Sequence, residues 1–110
     1  MERKLIYSVE YLEFAQQSND RVKEKLRYAS TILETVPIIS TQFVKKLVNT
    51  EFYELRLKVD NEIRVILFSA DNANINLSKN IIFLNGFVKK GTKDYKRELV
   101  KATNILRRLL

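Results

Sequence analysis

Two residue types that often carry chemistry are absent from this 110-residue chain, which contains neither cysteine nor histidine. The lack of cysteine excludes disulfides, thiolate metal sites and a thiol nucleophile. The lack of histidine removes the commonest metal ligand and the usual general base near neutral pH. Any catalysis must therefore use Lys, Arg, Tyr, Asp, Glu, Ser or Thr, or a group that the substrate supplies.

Glycine and proline are also scarce, with two and one residues respectively, which argues against linkers and low-complexity tracts. No apolar run approaches the roughly 20 residues of a membrane span, and the apolar stretch after Lys4 is too short for a signal peptide. The length suits one hydrophobic core. The sequence therefore predicts a single domain over residues 1–110, in the cytoplasm and without membrane contact.

Positive charge is concentrated in the second half of the chain. Residues 1–55 contain eight basic and eight acidic residues, whereas residues 56–110 contain twelve basic and five acidic ones. The whole net charge of +7 thus belongs to the second half. A one-sided excess of this kind is typical of a surface that binds a polyanion, either a nucleic acid or an acidic protein.

The hydrophobic pattern predicts an α+β fold in the order strand, helix, helix, three antiparallel strands and C-terminal helix. In the second helix, apolar residues recur at helical spacing at Val22, Leu26, Ala29 and Leu33. The predicted elements are a strand at 5–9, a helix at 10–17, a helix capped within 18–20 and ended by Val36-Pro37, a helical turn at 43–48, strands at 52–59, 63–69 and 81–88, and a helix from 94 onward.

The first two of the three antiparallel strands form a predicted hairpin. Directly opposed residues share a face, so we expect Val59 opposite Ile63, with a three-residue loop between them. That register places Lys58 opposite Arg64. It also puts both side chains, together with Arg56, on the solvent side of the hairpin, away from the core.

Several segments of the chain match a known pattern in order and spacing. They are Phe43-Val44-Lys45-Lys46-Leu47, Phe52-Tyr53-Glu54-Leu55-Arg56, Ile63-Arg64-Val65 and Phe83-Leu84-Asn85-Gly86-Phe87-Val88-Lys89-Lys90, followed by a helix rich in Lys, Glu, Ala and Arg. This combination resembles the RelE/ParE toxin superfamily, and most closely its phage-derived, HigB-like branch. The resemblance implies cleavage of mRNA, often at the ribosome, and neutralisation by a small antitoxin with a helix-turn-helix.

The chain departs from that pattern at one position, because many relatives carry histidine where it has Asn85. A neutral amide does not titrate, so Asn85 cannot replace a histidine as acid or base. The resemblance leaves two alternatives open, since a shared fold does not settle activity. One is a non-catalytic toxin of the same fold that poisons gyrase, and the other is a plain nucleic-acid-binding phage module.

RNA needs no external nucleophile, because its own 2′-OH can attack the adjacent phosphate. An enzyme must align the reacting atoms and stabilise the developing negative charge. Arg56 and Arg64, on neighbouring strands, are the best candidates for that stabilisation, because arginine forks match phosphate oxygens. Lys89 and Lys90, which follow the last strand, are further catalytic candidates, and Glu54 is a minor one.

Four more residues are candidates for RNA binding, namely Lys58, Phe87, Lys93 and Tyr95. Phe87 could stack on a base, but an aromatic residue at a strand end is more often part of a core. Tyr95 likewise fits the apolar stripe of the last helix. The sequence predicts no metal and no cofactor, since no ligand spacing or phosphate loop is present. The expected partners are mRNA, either free or on the ribosome, and an antitoxin that covers the basic second half.

Overall fold

The computed structural model describes residues 2–110, which form a five-stranded sheet with helices against both faces. The strand order is β1-β5-β4-β3-β2, and all neighbours are antiparallel except the parallel pair β1–β5. The α+β prediction is confirmed. The elements are β1 (Lys4–Tyr7), α1 (Val9–Gln17), α2 (Asp20–Thr35), β2 (Val44–Lys46), β3 (Phe52–Val59), β4 (Asn61–Ser69), β5 (Asn80–Val88) and α3 (Thr92–Leu109). None of the helices within residues 2–110 combines the length and the apolar character needed to cross a membrane.

Both N-terminal helices begin at residues whose side chains cap them. The Ser8 hydroxyl accepts a hydrogen bond from the Tyr11 N–H (2.9 Å), and the Asn19 side chain accepts one from the Val22 N–H (2.9 Å). The cap predicted for α2 is therefore confirmed. The first strand is shorter than expected, because Ser8 starts α1 and places Val9 in the helix rather than in β1.

The helical turn predicted at 43–48 is wrong, because residues 44–46 form β2 at the edge of the sheet. Lys45 lies opposite Glu54 in an antiparallel pair, and the Arg56 N–H donates to the Phe43 carbonyl (2.9 Å). The apolar spacing of this segment is compatible with a helix. The backbone groups of residues 44–46 instead bond to the open edge of β3, which the hydrophobic pattern of the segment does not reveal. This pairing buries Val44.

The predicted register of the β3–β4 hairpin is wrong by two residues, although the two faces are as expected. Val59 pairs with Asn61 rather than with Ile63, and only Asp60 lies between them. Asp60 adopts a left-handed backbone conformation (φ 64°), which short polar side chains tolerate better than most. A shift of two residues preserves the alternation of side chains, so the same set still faces the core.

A β-bulge in β5 exchanges the faces of the residues that follow it. Phe83 pairs with Leu67 and Asn85 pairs with Ile66, so Leu84 is an extra residue on β5. Without the bulge, Asn85 would face the same side as Phe83. With it, Asn85 turns to the opposite face.

Gly86, just after the bulge, faces α1 and permits a close approach of that helix. A Cβ atom at this position would lie 2.3 Å from the Phe14 ring, which is too close for two carbon atoms. The missing side chain therefore lets Phe14 pack directly on the strand.

The two faces of the sheet carry separate hydrophobic clusters. On the first face, α1 and α2 pack on the sheet, and the predicted stripe of α2 is buried as expected. On the second face, α3 alone covers the apolar residues. Its buried residues include Ile105, whereas Leu109 at its end is exposed. The second cluster consists of Phe52, Ile66, Ile82, Leu84, Phe87, Ala102, Ile105 and Leu106.

The loop before β5 is organised around the carboxylate of Asp71. This group accepts hydrogen bonds from the Ser78 hydroxyl (2.6 Å) and from the backbone N–H groups of Lys79 (2.9 Å) and Asn80 (2.9 Å). These donors, with the Ser78 hydroxyl contributing most, lower the pKa of Asp71 to about 2. The charged form is therefore favoured in the folded loop.

Asp71 should make the folded state sensitive to acid. Its pKa is lower in the folded chain than its ordinary value of 3.8, so its contribution to stability is present above about pH 3.8 and is lost as the pH falls toward 2. We expect Asp71→Asn to show a smaller fall in the urea denaturation midpoint between pH 5 and pH 2.5, approximately, than the wild type. Ser78→Ala should change the slope in the same direction but less. An Asp71→Asn variant with the wild-type slope would contradict the assignment.

Candidate active site

A cleft of about 460 Å³ opens beside the first turn of α3, at the end of the second face that the helix leaves uncovered. Its walls come from β2, β3, β4, the end of β5 and the start of α3. Five of its side chains are basic and two are acidic, so the cleft is electropositive. It is lined by Lys45, Lys46, Leu47, Val48, Glu54, Arg56, Glu62, Lys89, Lys90, Gly91, Thr92 and Tyr95.

A buried carboxylate joins the two arginines of the hairpin. Arg56 and Arg64 lie directly opposite each other on β3 and β4, where like charges would otherwise repel. Glu54, only 1% exposed, accepts a hydrogen bond from Arg56 Nε at 2.8 Å, and Arg64 Nε lies 3.9 Å from the same oxygen. Arg64 also reaches Glu62, with 3.4 Å between Nη2 and Oε1. The anion that balances the two guanidinium groups is therefore part of the protein.

The two arginines differ in exposure, which corrects the prediction that both lie on the solvent side. Arg64 is 6% exposed and donates to the Ile63 carbonyl (3.1 Å). It lies opposite the buried Phe87 of β5. The side chain of Arg56 is 36% exposed and lines the cleft. Arg56 can thus be reached from the cleft, whereas the buried Arg64 is not part of the cleft lining.

Lys89 and Lys90 lie in the same cleft as Arg56, although they are far from it in sequence. Both side chains are exposed, and the Lys89 N–H donates to the Glu62 carbonyl (2.8 Å), which ties the segment to β4. The Lys89 ammonium lies 5.9 Å from the centre of the Tyr95 ring. The fold thus assembles Arg56, the lysine pair and Tyr95 around one opening.

The two aromatic candidates are in contact but occupy different environments. Phe87 is 8% exposed and packs edge-to-face on Tyr95, with 5.4 Å between ring centres. Its position in the second cluster leaves no open face for an RNA base. Tyr95 is half-buried and lines the cleft, so its ring contributes to both the cluster and the opening.

Phe87 and two more of the four predicted RNA-binding residues do not line the cleft. Lys58 is exposed near the tip of the hairpin, in a depression that it shares with Lys25 and Tyr28 of α2. It lies opposite Glu62, not Arg64. Lys93 is exposed on the first turn of α3, outside the cleft lining.

Sequence reasoning missed three charged residues that line the cleft, namely Lys45, Lys46 and Glu62. The adjacent lysines were visible as a basic pair, but they fell within a segment read as a helical turn. Glu62 was assigned to the hairpin loop because Val59 was paired with Ile63 instead of Asn61. Both omissions therefore follow from errors in strand pairing.

Residues 13–107 of the chain match a protein family described as Phage derived protein Gp49-like (DUF891). Among solved structures, the chain is similar to a mutant of the E. coli toxin RelE in the free state. The TM-score is 0.66 and the sequence identity is 16%, with 100% of each chain covered. At this low sequence identity, the structural similarity shows a common fold and no more. No curated protein matches the chain.

The unequal burial of the two arginines predicts unequal effects on stability. Arg64→Ala should lower the free energy of unfolding by about 3 kcal/mol, because it weakens the pairing of a buried carboxylate and leaves a cavity. Arg56→Ala removes the hydrogen bond to Glu54 but opens that carboxylate to water in the cleft, so we expect a smaller loss of about 1 kcal/mol. Urea denaturation at neutral pH measures both values. Equal losses would contradict the inferred role of Arg64 in holding Glu54.

Proposed function

Because this chain belongs to the Gp49-like family of phage-derived proteins, we propose that it is a toxin that cleaves mRNA without a metal ion, by directing the 2′-OH of the RNA against the adjacent phosphate. The observation that carries this proposal is the electropositive cleft, in which the lysine pairs flank an arginine held by a buried carboxylate. The fold shared with RelE supports the same reading.

Arg56 is the group we assign to the scissile phosphate. The only side-chain hydrogen bond that it donates within residues 2–110 comes from Nε to Glu54. Its two terminal nitrogens thus remain for two oxygens of a phosphate, the geometry that a guanidinium prefers. Because Glu54 already orients the guanidinium, little reorganisation is needed as negative charge develops in the transition state.

The lysines of the cleft supply the remaining positive charge. The 2′-OH loses its proton to a water molecule in the open cleft as its oxygen bonds to phosphorus. The bond from phosphorus to the 5′-oxygen breaks, and that leaving oxygen must receive a proton. Lys89 and Lys90 carry ammonium groups that can donate it and bind the phosphate oxygens. Lys45, which lies opposite Glu54 on β2, can hold an adjoining phosphate of the strand. The ammonium of Lys46 instead donates to the Thr50 carbonyl and lies over the Tyr53 ring.

Glu54 and Arg64 are positioning residues in this scheme. Glu54 is almost fully buried and bonded to Arg56, so it orients the guanidinium rather than contacting RNA. Arg64, whose Nε lies 3.9 Å from the same carboxylate oxygen, adds a second positive charge beside Glu54. The phenol of Tyr95, at the mouth of the cleft, can donate a hydrogen bond to a phosphate or to the ribose.

Cleavage should depend strongly on Arg56. We expect Arg56→Ala to lower the cleavage rate about 100-fold while the protein remains folded, as loss of a transition-state donor usually does. Arg27→Ala, which removes an exposed arginine of α2 outside the cleft, is the matched control and should keep the wild-type rate. Primer extension on an mRNA, with and without ribosomes and in EDTA, gives the rates. The products should carry a 2′,3′-cyclic or 3′-phosphate and a 5′-OH, and wild-type cutting by Arg56→Ala would refute the site.

The proposal also predicts toxicity in the cytoplasm, where mRNA is translated. Induced expression of the wild type should arrest bacterial growth, whereas Arg56→Ala at equal protein level should not. Co-expression of a helix-turn-helix protein encoded beside the toxin should relieve the arrest, because complementary charge favours its binding to the basic second half. Arrest without RNA cleavage would favour a gyrase poison. Normal growth would favour a nucleic-acid-binding module.

A further inference from the structure

Asn85 is buried on the second face of the sheet and makes its hydrogen bonds to α3. Its side chain is only 1% exposed, and the bulge at Leu84 turns it toward the helix. The Nδ2 group donates to the carboxylate of Glu98 at 2.9 Å and to the main-chain carbonyl of the same residue at 3.1 Å. Asn85 does not line the cleft.

These are the only hydrogen bonds between α3 and the sheet in the part of the chain that the structure describes, residues 2–110. The other contacts of α3 with the sheet are between apolar side chains, such as Ile105 and Leu106 in the second cluster. Apolar contacts depend on buried area and hardly on direction, so a helix held by them alone can slide or rotate. The hydrogen bonds from the Asn85 amide are directional and fix where α3 lies along the sheet.

The hydrogen bonds lie one helical turn from Tyr95. Residues three apart share a face of a helix, so Glu98 and Tyr95 both point at β5. On β5, Asn85 and Phe87 share a face as well. The pairs Asn85–Glu98 and Phe87–Tyr95 therefore form two successive contacts between strand and helix, and the second ends at the cleft.

We propose that Asn85 is a positioning residue, whose side-chain amide clamps α3 at Glu98 and so fixes Tyr95 at the mouth of the cleft. The inference rests on the proposed function for its link to RNA cleavage. The Oδ1 atom of Asn85 has no hydrogen-bond partner among residues 2–110, so the donating NH2 group is the part that acts. Asn85 thus serves to hold a helix.

Exchanging donor and acceptor tests the clamp. Asn85→Asp keeps the size of the side chain but places a carboxylate against that of Glu98, so repulsion replaces the hydrogen bond. Adding Glu98→Gln restores a donor opposite the acceptor, with the direction of the bond reversed. Glu98→Gln alone still accepts from Asn85. Asn104→Asp introduces the same substitution at an exposed site on α3 and is the matched control.

Two readouts are measured for each variant, namely kcat and KM for RNA cleavage, and hydrogen exchange of the backbone amides at 92–99. We expect Asn85→Asp to lower kcat about 10- to 100-fold with less change in KM, because a small misplacement of a catalytic group has effects of this size. Exchange at 92–99 should become faster. The double variant should recover kcat to within about threefold of the wild type, as non-additivity of a contacting pair requires.

A wild-type kcat for Asn85→Asp, or a double variant no better than the single one, would overturn the inference. If Asn85→Asp alone does not fold, recovery of both folding and cleavage in the double variant supports the clamp, and failure of both refutes it. If the wild type cleaves no RNA, the proposed function fails. The hydrogen exchange of the same variants still decides whether Asn85 holds α3.

Discussion

The sheet is apolar on both faces, but only one helix is available to cover the second. α1 and α2 together bury the first face, whereas α3 covers the part of the second face that carries Ile66, Ile82 and Leu84. Beyond the first turn of α3, the same face must be compatible with water. The hairpin carries charged residues at that end, and the boundary between covered and uncovered sheet is where the cleft lies.

The charges at this boundary are arranged by the burial of Glu54. A carboxylate removed from water without a partner is unstable by several kcal/mol, so Glu54 requires cations beside it. Arg64 accompanies it into the shielded region, while Arg56 bonds to it from the cleft side. Arg56 and Arg64 are equivalent in sequence pattern, but they differ in their position around Glu54. Arg64 is an internal support, whereas Arg56 is free to bind an anion. A guanidinium held in this way is preorganised for phosphate, which links the stability of the hairpin to the proposed chemistry.

The proposed site also requires that α3 keep a fixed position beside the cleft. Its C-terminal half is held by the apolar cluster and by a two-bond ion pair between Arg108 and Glu10 of α1 (2.6 and 2.7 Å). The half that borders the cleft has fewer apolar contacts and depends on Asn85 and on the packing of Phe87 against Tyr95. Asn85 and Phe87 face α3 only because of the bulge in β5. An irregularity of one strand therefore determines which side chains meet at the cleft.

The sequence by itself determined the features that depend on near neighbours along the chain. Helical spacing identified the buried stripe of α2 from Val22 to Leu33, the side chain of Asn19 marked its start, and strict alternation assigned the faces of β3. Residue type and resemblance likewise identified four site candidates, namely Arg56, Lys89, Lys90 and Tyr95.

The tertiary structure alone decided which strand edges pair and in what register. Pairing turned residues 44–46 into β2, tightened the hairpin around Asp60 and brought Glu62 opposite Lys58. The bulge reversed the alternation at Asn85, and the packing of the sheet buried Arg64 opposite Phe87. Each of these outcomes depends on hydrogen-bond partners and covering side chains distant in sequence, which periodicity within a single segment does not contain.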